Sequence, residues 1–120
     1  MTGDEWPAAV VAAERGAGWW RAAVVEQRSA TADHGDFYAL AGELVDTVRA
    51  LESLVEVLGR QVSGYGEGRV LRDDQARDPG ARLTVAVALL WQTRESLAAA
   101  KQTANRFWSE IGHIAAVEEA

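Results

Sequence analysis

The sequence predicts an all-α protein: an antiparallel three-helix bundle with a long third helix, which oligomerisation would complete to a larger bundle. Apolar residues recur every three or four positions over most of the chain, which is the period of an amphipathic helix. Only 2 of the 120 residues are proline, and apart from a short piece at Arg69–Arg72 whose pattern allows an extended conformation, no segment alternates apolar and polar residues as a strand does. A chain of this length forms about one domain, so we predict a single helical domain over residues 1–120.

The first helix is predicted at about residues 5–29. Asp4 can cap it, and Pro7 lies in its first turn, where a missing N–H does no harm. Gly16 and Gly18 each weaken the helix by up to ~1 kcal/mol relative to alanine, so the pattern allows a kink there. The apolar stripe of this helix consists of Trp6, Val10, Ala13, Ala17, Trp20 and Val24.

The second helix, at about residues 36–62, has the most regular pattern. Asp36 is its predicted cap, and Gly64 can terminate it. Leu40 and Leu54 widen its stripe, which makes a face suited to more than one neighbour. The stripe itself consists of Ala41, Leu44, Val48, Leu51, Val55, Leu58 and Val62.

A loop is predicted over residues 63–78, and the third helix over about 79–115. Asp78 followed by Pro79 is typical of an N-cap and first helical position. The apolar stripe of this helix consists of Leu83, Ala86, Leu90, Thr93, Leu97, Ala100, Ala104, Phe107, Ile111 and Ile114.

Comparison of the predicted lengths, at 1.5 Å per residue, indicates that the end of the third helix outruns the start of the second. This overhang, residues 105–114, would either fold over the turn between the first two helices or contact another molecule. We expect an aromatic surface there that binds a second copy of the chain or another helical protein. The predicted partner-binding residues are Phe37, Tyr38, Phe107, Trp108, Ile111 and Ile114.

Five tryptophans in a chain of 120 residues are many to bury in one small core. Trp6 and Trp20 lie on the first stripe and are expected in the core. Trp19, Trp91 and Trp108 lie beside the stripes, and tryptophan is enriched at the centres of protein interfaces. Their positions therefore favour a partner surface.

One spacing near the end of the chain is typical of a metal site. Glu110 and His113 are three residues apart, as in the Glu-x-x-His pairs of carboxylate-bridged di-iron bundles. Such a site needs a second pair, but the other histidine, His34, lies in a predicted turn. We therefore predict neither a metal site nor a cofactor.

Arg106 and His113 suggest a different chemistry. Arginine, six residues and then histidine resembles the short motif of HEPN-type ribonucleases, small all-α domains that dimerise to bring their motifs together. The resemblance implies metal-independent RNA cleavage, with Arg106 stabilising phosphate charge and His113 in acid–base chemistry. This dimeric ribonuclease is the alternative to a non-catalytic role.

The overall composition argues against binding to nucleic acids or membranes. The net charge is −6, and 12 basic residues are dispersed among 18 acidic ones, so a phosphate-binding patch is not expected. No apolar run reaches the length of a membrane span. The absence of cysteine fits a reducing cytoplasm, and the preference for arginine, alanine and glycine fits a high-GC bacterium. We therefore expect a cytoplasmic interaction or oligomerisation module, such as an accessory or regulatory protein.

Overall fold

The computed structural model describes residues 6–117 and contains three helices: α1 (Ala8–Arg28), α2 (His34–Ser63) and α3 (Pro79–Gly112). No strand occurs within these residues, which confirms the all-α class. The described part of the chain divides into two compact units between Asp33 and His34. The helix packing lies between α2 and α3, and both the three-helix bundle and its oligomerisation remain predictions.

The first unit contains α1, which buries none of its residues. Pro7 is the N-cap and makes no side-chain cap hydrogen bond, whereas the predicted cap, Asp4, lies outside the described residues. The expectation that Trp6 belongs to the core is wrong, since Trp6 precedes the helix and is 52% exposed. Trp20 is partly buried, and α1 continues through Gly16 without a break.

In the second unit, α2 begins two residues before the predicted start. His34 is its first residue, and Asp36 lies inside the first turn, so the prediction that Asp36 caps the helix is wrong. An acidic side chain in a first turn still interacts favourably with the helix dipole. The helix ends at Ser63, and the amide of the following Gly64 donates to the carbonyl of Arg60 at 3.3 Å.

The start of α3 is confirmed in detail. The Asp78 carboxylate accepts a hydrogen bond from the Gly80 amide at 2.9 Å, and Pro79 occupies the first helical position. The end comes earlier than predicted, at Gly112 rather than near residue 115. His113 is the C-cap, and its amide donates to the carbonyl of Glu110 at 3.1 Å.

Helices α2 and α3 form an antiparallel hairpin of nearly equal arms, 30 and 34 residues long. From the loop to the open end, the residues that meet across it are Gly66 and Leu83, Gly59 and Trp91, Glu52 and Lys101, Gly42 and Trp108, and Tyr38 and Gly112. The last pair shows that the predicted overhang is wrong. Because α2 starts earlier and α3 ends earlier than expected, α3 stops opposite the second turn of α2.

The loop between the two helices is held by one carboxylate. Asp73 accepts hydrogen bonds from the amides of Gln75 at 2.8 Å and Arg77 at 3.0 Å, and from Arg82 Nε on α3 at 2.8 Å. The Arg77 amide, followed by Arg82 and Gln75, holds the pKa of Asp73 below its usual 3.8, against the opposing effect of its desolvation. The residues around this carboxylate include Ala76, which adopts a left-handed φ of 57°.

Candidate partner-binding surface

We call the positions at which α2 and α3 face each other the seam. The contacts and the spacing of three and four residues place Tyr38, Ala41, Val45, Val48, Glu52, Val55, Gly59 and Val62 on the α2 side. They place Val87, Trp91, Arg94, Ala98, Lys101, Asn105, Trp108 and Gly112 on the α3 side. The core is small: within the described part of the chain, Ala41 and Val45 are the buried hydrophobic residues, at 1% and 0% exposure.

Two tryptophans of α3 fill the seam opposite two glycines of α2. A Cβ on Gly59 would lie 2.9 Å from the Trp91 ring, and a Cβ on Gly42 would lie 3.1 Å from the Trp108 ring. The glycines therefore leave the space that the indoles occupy. The Trp108 ring also packs against Tyr38, with the ring centroids 5.7 Å apart. Both tryptophans, expected beside the core, thus belong to the contact between the two helices.

Between these two glycine–tryptophan contacts lies an ion pair. Lys101 Nζ is 2.9 Å from Glu52 Oε1 and donates a hydrogen bond to Oε2 at 3.2 Å. The two side chains are 26% and 16% exposed. A charged pair in the middle of an apolar contact favours one register of the two helices, since any slip would separate the charges.

A second apolar stripe follows α2 at positions one residue before the seam positions from Tyr38 to Gly59. These positions, at alternating steps of three and four, carry Phe37, Leu40, Leu44, Thr47, Leu51, Leu54 and Leu58. Leu44, Leu51 and Leu54 are 42–43% exposed, which is far more than a packed leucine retains. The predicted single stripe of α2 is therefore split: Ala41, Val48, Val55 and Val62 lie in the seam, whereas Leu44, Leu51 and Leu58 lie beside it.

The corresponding stripe of α3 is the one that the sequence pattern predicted as its apolar face. It carries Leu83, Ala86, Leu90, Thr93, Leu97, Ala100, Ala104, Phe107 and Ile111, and from Ala86 onward each lies one residue before a seam position. Phe107 is 49% exposed, and most of the others are partly buried. The seam of α3, by contrast, includes Arg94, Lys101 and Asn105. The more apolar stripe of α3 thus lies beside the contact with α2.

The two stripes lie on the same side of the hairpin. The opposite flank of the seam is polar on both helices, and Glu56 on this flank of α2 pairs with the seam residue Arg94 of α3 at 3.8 Å. Since the polar flanks meet on one side of an antiparallel pair, the apolar flanks meet on the other. We call this continuous two-helix surface, formed by the two stripes, the leucine face.

The structure divides the predicted partner-binding residues into three groups. Phe37, Phe107 and Ile111 lie on the leucine face at its open end, with Phe37 39% exposed. Tyr38 and Trp108 lie in the seam. Ile114 follows the end of α3 and is 56% exposed. Three of the six predicted residues are therefore brought together on one exposed surface.

The open end of the hairpin also contains a cleft of about 670 Å³. Its lining includes both histidines of the chain, His34 and His113, together with Asn105 and Ser109. These groups offer hydrogen bonds to a small polar ligand. Arg106 is exposed and does not line the cleft, so the geometry does not join it to His113 in one site, and RNA cleavage remains a prediction.

Glu110 and His113 do not belong to a three-ligand metal-binding group in the part of the chain that the structure describes. Within residues 6–117, no group of three or more histidine, cysteine or acidic side chains is arranged to hold a metal ion. In the same part of the chain, none of the helices combines the length and apolar character needed to span a membrane.

The sequence patterns did not reveal the glycine–tryptophan contacts or the pair of Glu52 and Lys101. The two glycines were a signal for the glycine–tryptophan contacts, since Gly42 and Gly59 interrupt a helix whose pattern is otherwise regular. A glycine inside a helix costs about 1 kcal/mol relative to alanine, so its presence indicates close packing. Another signal was that Lys101 is the single lysine of the chain and lies in the middle of an apolar helix.

No protein-family model matches this chain, no curated protein is significantly similar to it, and no solved structure matches its fold.

Proposed function

We propose that this protein is a non-catalytic helical module for protein–protein association, beginning with self-association. The observation that carries the proposal is the leucine face, on which Phe37, Leu44, Leu51, Leu54 and Phe107 are between 39% and 49% exposed. A monomer rarely leaves a large contiguous apolar surface in contact with water, and such surfaces commonly bind partners. The absence of cysteine fits a cytoplasmic accessory or regulatory protein of a high-GC bacterium.

The open end of the hairpin is the proposed site of first contact. Phe37, Phe107 and Ile111 present large apolar side chains there, and aromatic anchors contribute most of the binding energy in many interfaces. Glu110 and His113, on the turn after Phe107, form the polar rim. Arg106 lies on the polar flank of α3, away from the leucine face, and takes no part in this contact.

Substitution of Phe107 tests this proposal without disturbing the seam. Trp108 is unsuitable, because it packs on Gly42 and its removal would also loosen the hairpin. We expect Phe107→Ser to raise the dissociation constant for self-association by about tenfold or more, since loss of an interface anchor costs more than ~1 kcal/mol. Helicity in circular dichroism should not change.

The matched control is Ser109→Ala, two residues away on the polar side of α3, which should leave association unchanged. Sedimentation velocity over a concentration series measures both variants. A wild-type chain that stays monomeric at micromolar concentration would remove self-association from the proposal.

A further inference from the structure

We infer that the leucine face is, along its whole length, the interface of a homodimer in which two hairpins pack face to face as a four-helix bundle. This inference rests on the proposed function and adds to it the partner, the number of copies and the full extent of the surface. The open-end residues Phe37, Phe107 and Ile111 then form one end of a longer contact.

The composition of the leucine face allows it to meet a copy of itself. None of its sixteen positions, seven on α2 and nine on α3, carries a charged residue. A twofold interface brings the same surface patch of both subunits together, so a patch with like charges would repel its copy. This face contains leucine, phenylalanine, isoleucine, alanine and two threonines, and pairing with itself buries no unpaired charge.

The size of the leucine face suits a stable dimer. A helix of 30 residues is about 45 Å long, and two packed helices together are about 20 Å wide. The face therefore covers roughly 900 Å² per subunit, close to the ~800 Å² that each partner buries in a standard specific interface. Its heptad spacing on both helices is also the pattern that four-helix bundles use for their cores.

A second hairpin fits this surface better than one helix of the size of α1. A helix of 21 residues is about 32 Å long, so it would leave about a third of the length uncovered. A single helix also fills only the groove between two helices, whereas a second pair of helices covers both stripes of the leucine face.

The test is substitution of Leu51, near the centre of the α2 stripe and away from the seam, in the full chain. The wild type should show twice the chain mass of 12.9 kDa in light scattering coupled to size-exclusion chromatography. Leu51→Glu places two carboxylates in the interface, one from each copy, and should raise the dissociation constant by roughly a hundredfold or more. Ser53→Glu, which adds the same charge on the polar side of α2, should remain dimeric.

The outcomes separate this inference from the proposed function. A Leu51→Glu variant that stays dimeric while Phe107→Ser dissociates would overturn the full-length face and leave the association module intact. A wild-type monomer would overturn the dimer and remove self-association from the proposed function, leaving association with another protein. Independently of any variant, the Tm of the wild type should rise with protein concentration, and a constant Tm contradicts the dimer.

Discussion

At the scale of single residues, the hairpin depends on size differences between facing side chains. Gly59 is buried and faces Trp91, and Gly42 faces Trp108. Each glycine costs its helix about 1 kcal/mol relative to alanine, but it admits a large aromatic surface into the seam. Glycine at these two positions is therefore explained by packing against the indoles.

Gly59→Ala should accordingly destabilise the protein, although alanine is the better helix former. The new Cβ would lie 2.9 Å from the Trp91 ring, and such overpacking costs about 1–3 kcal/mol, against a gain of about 1 kcal/mol in helix propensity. We expect a lower Tm in thermal unfolding followed by circular dichroism. Gly16→Ala is the control, since a Cβ there meets nothing within 4 Å, and it should increase helicity. A Gly59→Ala variant as stable as the wild type would contradict the packing.

At the scale of helices and loops, helix ends were predicted better from nearby residues than helix contact faces were from the apolar pattern. Asp78 and Pro79 define the start of α3 as expected, because capping depends only on nearby residues. The face of α3 that meets α2 was not predicted. Periodicity shows which residues are apolar, but it does not show which stripe a neighbouring helix covers. On α3 the contact with α2 includes Trp91 and Trp108, because glycines on α2 leave space for their rings.

The loop after α2 offers a prediction on pH. Because hydrogen bonds to Asp73 lower its pKa below 3.8, its contribution to loop order is present above the unfolded value and is lost as the pH falls through the lower folded value. At neutral pH, Asp73→Asn removes the charge that the Arg77 and Gln75 amides and Arg82 recognise. We expect faster hydrogen exchange at the amides of residues 75 and 77.

The control for the loop is Asp74→Asn, which removes the neighbouring charge and should leave those two exchange rates unchanged. NMR-detected exchange measures both variants. In the wild type, a pH titration should shift the amide resonances of Gln75 and Arg77 with a midpoint below pH 3.8. A midpoint above that value would show that Asp73 is not the group that orders the loop.

At the scale of the whole molecule, charge and apolar surface act against each other. Each chain carries a net charge of −6, whereas the leucine face carries none, so the proposed dimer must form against long-range repulsion between its chains. The stripes of the leucine face were visible in the sequence as periodic leucines. The exposure of these stripes was not visible, because it depends on how much of the surface of α2 is covered by α3, and of α3 by α2.

Self-association should therefore become stronger as salt is added. Raising the ionic strength from about 0.01 M to 0.15 M shortens the Debye length from about 30 Å to about 8 Å, which screens the repulsion between the chains, while the uncharged interface loses no ion pair. Sedimentation equilibrium at increasing sodium chloride should give a falling dissociation constant. Glu43→Lys, beside the face, makes each chain less negative by two charges and should flatten this dependence. Association that weakens with salt would instead indicate contacts between charges, and salt-sensitive binding of RNA would support the ribonuclease alternative, because phosphate binding weakens as counterions are added.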